Sequence, residues 1–483
     1  MEVLQRTANR GSVSTGPYEI GNSCKFEEDN SEFLWKKFSG EGTGTGKTFT
    51  ISGWVKRTEL GGIDIFMGVG RDVGGDANDG AVRFNSDQFQ FVNFASNAYN
   101  VRTNAVFRDT SAFYHIMVAV DTTQGTDSNR VKLYVNGVLQ TSLTSTAYPT
   151  QNYQFKWGRA EEHMVGARPD SDATAGEPQA SQFWSGYMAD VYFVDGLQLA
   201  PTDFGEFDDD SGIWKPINAS PTFGNNGFYL DFADASDLGD DESGNGNDFA
   251  EVNLAAADQS TDTPTNNFAT GNPLMPLKAN TILTNGATNF KNVGTAGWAG
   301  FAPSIAVQSG KWYVEFTAAG NTTFCGVGNI NDFVNSNYYG GWNTSIGFYG
   351  IAGLLFIDGA TSTWSGAAYG NGDIVGIALD KDNGCVYMSK NGTFANSGDP
   401  TSGASKTGGV ALTTGNSDYS ASDYFYIGAS QNIDNGVLQA NYGGYTTDTP
   451  SSAASDANGY GTFEYAPPTG YYALCTQNLA EFG

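Results

Sequence analysis

The chain has 483 residues, with 52 acidic against 24 basic side chains and a formal net charge of −28. Such an excess repels phosphate backbones and anionic lipid, so neither nucleic-acid binding nor membrane insertion is expected. Charged residues make up only 16% of the chain while glycine numbers 63, which describes a surface of uncharged polar groups interrupted by many turns.

The length is too great for one ordinary sandwich and suits two domains of roughly 100–250 residues each. No long stretch repeats apolar residues at helical spacing, no heptads persist, and no run of about 18 apolar residues exists. The opening Met1-Glu2-Val3-Leu4-Gln5-Arg6 has no apolar core of a secretory signal, so synthesis in a cytoplasm is expected. Cys24, Cys325, Cys385 and Cys475 form no C-x-x-C pair and read as buried free thiols.

In chain order, residues 1–20 are polar and turn-rich and read as an attachment arm. Strand patterns follow at Ser23–Phe26, Phe49–Arg57 and Phe113–Asp121. Arg130-Val131-Lys132-Leu133-Tyr134-Val135 then alternates apolar with polar residues and breaks at Asn136-Gly137. Alternation puts Val131, Leu133 and Val135 on one side of a sheet, and Asn-Gly supplies the positive φ angles of a tight hairpin. A "WVK" strand, an aromatic-x-His-x-x-Val-Ala-Val-Asp strand, "LYVNG" and the later Gly186–Gly196 run together resemble the laminin-G/pentraxin branch of the concanavalin-type jelly rolls. The resemblance implies a β-sandwich over residues 21–232.

Between 233 and 280 the pattern dissolves into an acidic, Thr/Pro/Asn-rich stretch that reads as a connector. Beyond it, Gly310-Lys311-Trp312-Tyr313-Val314-Glu315, Cys325-Gly326-Val327-Gly328 and Gly372–Asp380 running through Asn383-Gly384 to Asn391-Gly392 resemble the SPRY fold, implying a second sandwich over 281–483. The expected fold class is therefore all-β, with two antiparallel β-sandwich domains in tandem, concanavalin/laminin-G-like and then SPRY-like. The opening Gln5–Gly11, the Gly212-Ile213-Trp214-Lys215-Pro216 segment and the ending Pro467–Leu479 are similar to virion proteins of tailed marine bacteriophages. That resemblance implies a virion surface location, on tail or capsid, after synthesis in the host cytoplasm.

Three chemistries follow from particular residues. Concanavalin-type glucanases carry a Glu-x-Asp-x-(x)-Glu strand; the nearest match, Glu206-Phe207-Asp208-Asp209-Asp210, lacks the last Glu, so no catalytic residues are expected. His115 stands where the laminin-G pattern has a structural histidine, and His163 reads as part of a polar loop. Asp237, Asp240, Asp241, Asn245, Asn247 and Asp248 crowd one glycine-containing loop, where calcium is the candidate ion and a solvated turn the alternative. Tyr338, Tyr339, Trp342, Asn343 and Trp364 mix flat rings with amides, the combination that stacks on sugar C–H faces and hydrogen-bonds hydroxyls. The alternative is that these rings pack under their own loops or against another subunit.

The sequence thus points to a non-enzymatic virion protein of tail-fibre type, recognising a host cell-surface glycan weakly and through many copies. Other virion proteins are its expected partners and a homo-oligomer, such as a trimer, its expected assembly. A capsid decoration, head-fibre or adaptor protein is the alternative, and a polysaccharide depolymerase a more distant one.

Overall fold

The computed structural model describes residues 18–70, 79–94, 98–170, 176–275, 281–294, 297–330, 338–342, 344–362, 366–414 and 419–483. The chain divides into two units, one ending at Thr265 and the other beginning at Asn266. Nearly all of the arm expected over residues 1–20 lies outside the described residues. Among those described, no helix is long and apolar enough to cross a membrane.

The first unit is a sandwich of two eight-stranded sheets. One sheet runs Val138–Leu139, Val131–Val135, Tyr114–Asp121, Thr48–Arg57, Gly186–Asp195, Ser23–Phe26 and Gln259–Ser260, with Phe228–Leu230 also paired to Gly186–Asp195. The other runs Leu143–Ala147, Asn100–Val106, Gln88–Asn93, Gly80–Asn85, Ile63–Gly70, Glu162–Val165, Phe33–Lys37 and Ala250–Val252. Alternation decides what fills the space between them. Ile51, Val118, Leu133 and Val135 from the first sheet share a buried cluster with Val82, Phe84, Phe91 and Val101 from the second. Truncating one such side chain to alanine typically costs about 2–5 kcal/mol. The expected hairpin forms as read, with Asn136 at φ 47° and Gly137 at φ 75°, the left-handed pair that a two-residue turn needs.

The expected connector is not a connector. Residues 233–265 belong to the first unit and complete both of its sheets: Ala250 pairs with Trp35, and Gln259 with Cys24. The physical reason lies in buried charge. Lys25 is 1% exposed and its Nζ meets Asp258 at 2.7 Å and Glu32 at 2.8 Å. Lys56 is fully buried and its Nζ meets Asp262 at 2.7 Å. Polar composition made this stretch look like a linker, yet two of its carboxylates neutralise cations buried on the face of the first sheet turned away from the core.

The second unit is again two antiparallel layers. One sheet runs Thr281–Thr284, Asn289–Asn292, Val437–Asn441, Lys311–Thr317, Ile374–Asp380, Cys385–Lys390 and Thr393–Phe394. Tyr472–Ala473 adds a parallel pairing to Lys311–Thr317. The other runs Ala299–Phe301, Phe425–Gln431, Thr323–Asn329, Ser345–Tyr349, Leu354–Ile357 and Ala360–Ser362. Val314, Ile377, Met388 and Leu438 face Cys325, Val327, Phe348 and Ile427 across one core. A short helix, Thr476–Phe482, ends the chain; no helix was expected there. All four cysteines are buried and free, as read from their sequence context.

Cutting the chain at the sequence-based boundary should therefore fail. A fragment ending at 232 is expected to remain unfolded, whereas one ending at 265 gives a cooperative melt by circular dichroism. In the full chain, Asp262→Ala should lower the first unit's stability by about 3–5 kcal/mol, because it leaves Lys56 buried beside an empty position. A calorimetric trace with the first unit's transition unmoved would contradict this account.

Candidate functional site

The aromatic residues picked out as a sugar platform do not stay together at the surface. Tyr339 is fully buried, its hydroxyl donating to the Phe301 carbonyl at 3.1 Å, and Trp342 is 3% exposed. Both rings lie on strand glycines: a Cβ at Gly428 would collide with the Tyr339 hydroxyl, and one at Gly328 would stand 2.5 Å from Trp342. The Ser345 hydroxyl pins their turn, accepting from the backbone N–H of Gly340 at 3.0 Å and donating to the Trp342 carbonyl at 2.7 Å. These two rings therefore cover the outside of the sheet and offer no face to a ligand. Asn343 and Trp364 lie outside the described residues.

Tyr338 differs. It is only half-buried and stacks on Phe324 at 5.0 Å, while Trp298 stands 5.1 Å from Tyr338 and 4.9 Å from Phe324. Tyr349 stacks on the same Phe324 ring at 4.4 Å. Phe324 is buried, whereas Trp298, Tyr338, Tyr349 and Phe356 each keep part of their surface open. The result is an aromatic shelf on the outer face of the Thr323–Asn329 sheet. Sequence reading missed Trp298, Tyr349 and Phe356. Their signal was indirect: glycines at 326, 328, 347 and 428 bare the outer face of adjacent strands, so bulk must arrive from elsewhere.

On the opposite sheet of the same unit, the chain from Phe463 to Cys475 covers Tyr313, Ala378 and Tyr387. Glu315 fixes this cover, accepting from the backbone N–H of Glu464 and of Tyr465 at 2.8 Å each and from the Tyr313 hydroxyl at 3.0 Å. Desolvation by burial pushes its carboxyl upward, and those two N–H donors oppose the rise. Where the cover stands off the sheet, a polar cavity of about 180 Å³ remains, lined among others by Glu315, Thr317, Gln439, Asn441 and Thr446.

The acidic loop of the first unit is committed to its own structure. Asp241 accepts from the backbone N–H of Tyr229, Ser243 and Asn247 and from the Ser243 hydroxyl, at 2.7–2.9 Å. Asn245 and Asn247 both donate their side-chain amides to the Gly227 carbonyl, at 2.9 and 2.8 Å, and the Asp248 carboxylate accepts from the Asp241 N–H. Asp237 and Asp240 remain toward solvent; desolvation and then the charges of Asp237 and Asp248 raise the Asp240 carboxyl. Among the described residues no group of three or more His, Cys, Asp or Glu side chains is placed to hold a metal ion. Four of the six candidate ligands, Asp241, Asn245, Asn247 and Asp248, thus form a hydrogen-bonded clasp of the kind that turns ordinarily use.

The residues examined for catalysis are likewise occupied. Glu206 lies on a small exposed hairpin and shares Lys215 with Asp208, at 3.3 and 3.2 Å. His115 is buried with Nε2 2.8 Å from the Ser52 hydroxyl, and burial pulls its pKa down to about 3. His163 is not in a polar loop: it lies on the buried strand Glu162–Val165, Nε2 accepting from the Gly158 N–H at 3.0 Å, and burial lowers its pKa to about 3. Both rings are neutral and closed to any substrate.

A family model described as the concanavalin A-like lectin/glucanases superfamily matches residues 36–197. The first unit has a concanavalin-like β-sandwich fold. A solved SAP-like pentraxin from Limulus polyphemus is 13% identical, covering 38% of this chain and 80% of that one, with a TM-score of 0.29. The SPRY domain of human HERC1 is 15% identical over 35% of this chain and 96% of its own, with a TM-score of 0.27. Another human SPRY domain is 12% identical, with 33% and 94% covered and a TM-score of 0.24. These likenesses concern architecture alone. No curated protein sequence matches the chain.

Two measurements test this description. Chelation with EDTA should leave both melting transitions unmoved, since the Asp237–Asp248 loop is held by hydrogen bonds; a marked drop would restore the ion. Lys381 is 4% exposed with its Nζ over the rings of Phe425 and Tyr419, at 4.4 and 5.1 Å. Burial lowers its pKa to about 8. The unfolded lysine holds its proton up to 10.5, so between pH 8 and 10 the unfolded state binds more protons and this residue's contribution to stability rises with pH. Lys381→Met should therefore stabilise the second unit at pH 7 by on the order of 1 kcal/mol, and that advantage should shrink steadily toward pH 10.

Proposed function

We propose that this protein is a non-enzymatic surface protein of a tailed-phage virion, recognising a glycan on the host cell. One observation carries the reading: the shelf in which Trp298, Tyr338 and Tyr349 surround Phe324 and stay partly open. Rings left open on a sheet face are costly to maintain in water unless something covers them. Sugar C–H faces are a natural cover, because a flat ring offers both apolar area and the negative π-face that they favour. The lectin-type match in the other unit supports the same reading. So does a surface rich in uncharged polar groups, which tolerates neutral hydroxylated ligands without drawing polyions. Glu206 and Asp208 both spend their carboxylates on Lys215 at an exposed hairpin, an arrangement that favours holding a glycan over hydrolysing it. One shelf of this size binds weakly; multiple copies on a particle would raise the net affinity by avidity.

A glycan array probed with the whole chain tests the proposal. Specific signals should appear and fall about tenfold for Tyr338→Ala, with the melting temperature nearly unchanged because that ring is half-exposed. An array blank for the wild type, combined with labelling at subunit junctions inside intact particles, would favour the adaptor or decoration role instead.

A further inference from the structure

The second sheet of the first unit directs one row of side chains away from the core, buried at Ile65 and Gln90 and partly open at Arg102 and Ser145. Ile65, Arg83, Gln90, Arg102 and Ser145 are successive cross-strand partners in register. Their neighbours Val82, Phe84, Phe91 and Val101 turn inward to the core, so alternation fixes the row on the outside. A third arginine reaches the same face from the strand Ala167–Pro169, which crosses Gly68 so closely that a Cβ there would collide with Arg168. The ring of Phe94 joins the two sides, with the guanidinium carbon of Arg168 4.1 Å and that of Arg83 5.0 Å from its centroid.

Charge pairing separates this face from the rest of the unit. Lys25, Lys56, Arg57 and Lys156 are all buried, and each meets a carboxylate at 2.5–2.7 Å. Arg83, Arg102 and Arg168 have no carboxylate within ion-pair distance among the described residues. Asp170 and, less strongly, Asp79 act on Arg168 from beyond ion-pair distance, and Asp79 is already held by Lys156 at 2.7 Å. Yet Arg83 is only 8% exposed. Its Nε donates to the Gln90 side-chain oxygen at 2.9 Å, and its two terminal nitrogens have no partner among the described residues. Arg102 donates one terminal nitrogen to the Asn85 carbonyl at 2.7 Å while its Nε is buried and unpartnered. Desolvation, reinforced by Arg168 and Arg102, lowers the Arg83 pKa to about 10. A nearly buried cation beside two like charges is costly, and the deficit is one that an incoming anion would remove.

The amides define what kind of anion. Gln90 also donates to Asn100 at 2.8 Å, and Asn85 stands beside it. Hydroxyl-binding groups therefore alternate with guanidinium groups along the row. Arg83 and Arg102 are two strands apart, a span of about 9.6 Å. A ligand with well-spaced charges and many hydroxyls fits this pattern. A densely charged polymer such as DNA does not, because a chain of net charge −28 repels it at long range. We propose that this face binds an acidic glycan, with a sugar carboxylate or sulfate engaging the free edge of Arg83 together with Arg102 or Arg168, neighbouring hydroxyls meeting the half-buried Asn85 and Asn100, and the buried Gln90 holding those side chains in place. The site lies in a different unit from the aromatic shelf and does not depend on it.

The test uses the whole chain and chemically matched probes: polygalacturonate against its methyl ester, lightly sulfated dextran against dextran, and a duplex DNA fragment. Binding to at least one acidic member and not to its neutral counterpart is expected, and the pair that responds tells carboxylate from sulfate. Arg83→Gln and Arg102→Gln should each weaken that binding by about tenfold or more, Arg83→Lys by less, and Tyr338→Ala not at all. A merely structural arginine would destabilise the fold when replaced; here Arg83→Gln should leave the first unit's melting temperature equal or higher. Should Arg83→Gln fail to fold, Arg102→Gln decides the matter, since Arg102 is only partly buried. Equal binding of acidic and neutral polymers, no binding to either, tighter binding to DNA, or acidic binding indifferent to both arginine variants would each overturn the proposal.

Discussion

The first unit depends on how it accommodates positive charge buried on the outer face of a sheet. Lys56 lies on the central strand Thr48–Arg57 with no measurable exposure, and its ammonium meets a carboxylate 206 residues away in sequence, Asp262, at 2.7 Å. Lys25 and Asp258 repeat the arrangement two strands along, on Ser23–Phe26. Buried pairs of this kind add little net stability, because desolvation offsets most of the attraction, but removing either partner is severe. Their effect is selective. A polar segment that could have docked in many registers has one in which two lysines find two aspartates. The edge strands Ala250–Val252 and Gln259–Ser260 then close both sheets.

Outer faces pose the corresponding problem for the second unit. Its two sheets share one core, which leaves two outward faces to be covered or exposed. One is roofed by the chain between Phe463 and Cys475, held by Glu315 through two backbone N–H groups. On the other, glycines in adjacent strands make room for Tyr339 and Trp342 to pack close against the sheet. Space freed by missing side chains is filled by rings from a loop, and the rings at the margin, Trp298, Tyr338 and Tyr349, remain partly open. The candidate sugar surface is thus a by-product of how the sheet is covered.

Local chemistry explains what was legible in the sequence. Asn136-Gly137 and Asn391-Gly392 adopt positive φ at both positions, and the alternation around them places Leu133, Ile377 and Met388 inside. Such features depend on neighbours in sequence. The acidic segment after residue 232 was misread because its partners are distant: Lys25 and Lys56 say nothing locally about Asp258 and Asp262. His163 was misjudged for a related reason, since its charged neighbours Glu161 and Glu162 suggested a solvent loop. Glu162 is itself buried, accepting from the Gly176 N–H at 3.1 Å. The row from Arg83 through Gln90 to Arg102 was invisible for want of register. Register shifts interrupt the pairing on both sides, between Ile65 and Met67 and between Gln88 and Gln90, and each would defeat an alignment based on alternation alone.

Two buried cations, one in each unit, have no carboxylate partner among the described residues, and they show why residue type matters more than burial. Lys381 sits over Phe425 and Tyr419, and burial brings its pKa to about 8. A lysine so placed can relieve its desolvation by releasing the proton near neutral pH. Arg83 sits beside Phe94 under a similar penalty, yet its pKa of about 10 keeps it charged at any physiological pH. Guanidinium cannot escape by deprotonating, so aromatic contact and the Gln90 side chain bear the whole desolvation within the protein. Lysine at that position could fall neutral and would not hold a forked, planar donor edge against an oxyanion. The persistent charge, the fixed fork and the neighbouring arginines together leave a site whose most favourable state includes a negative group from outside the chain.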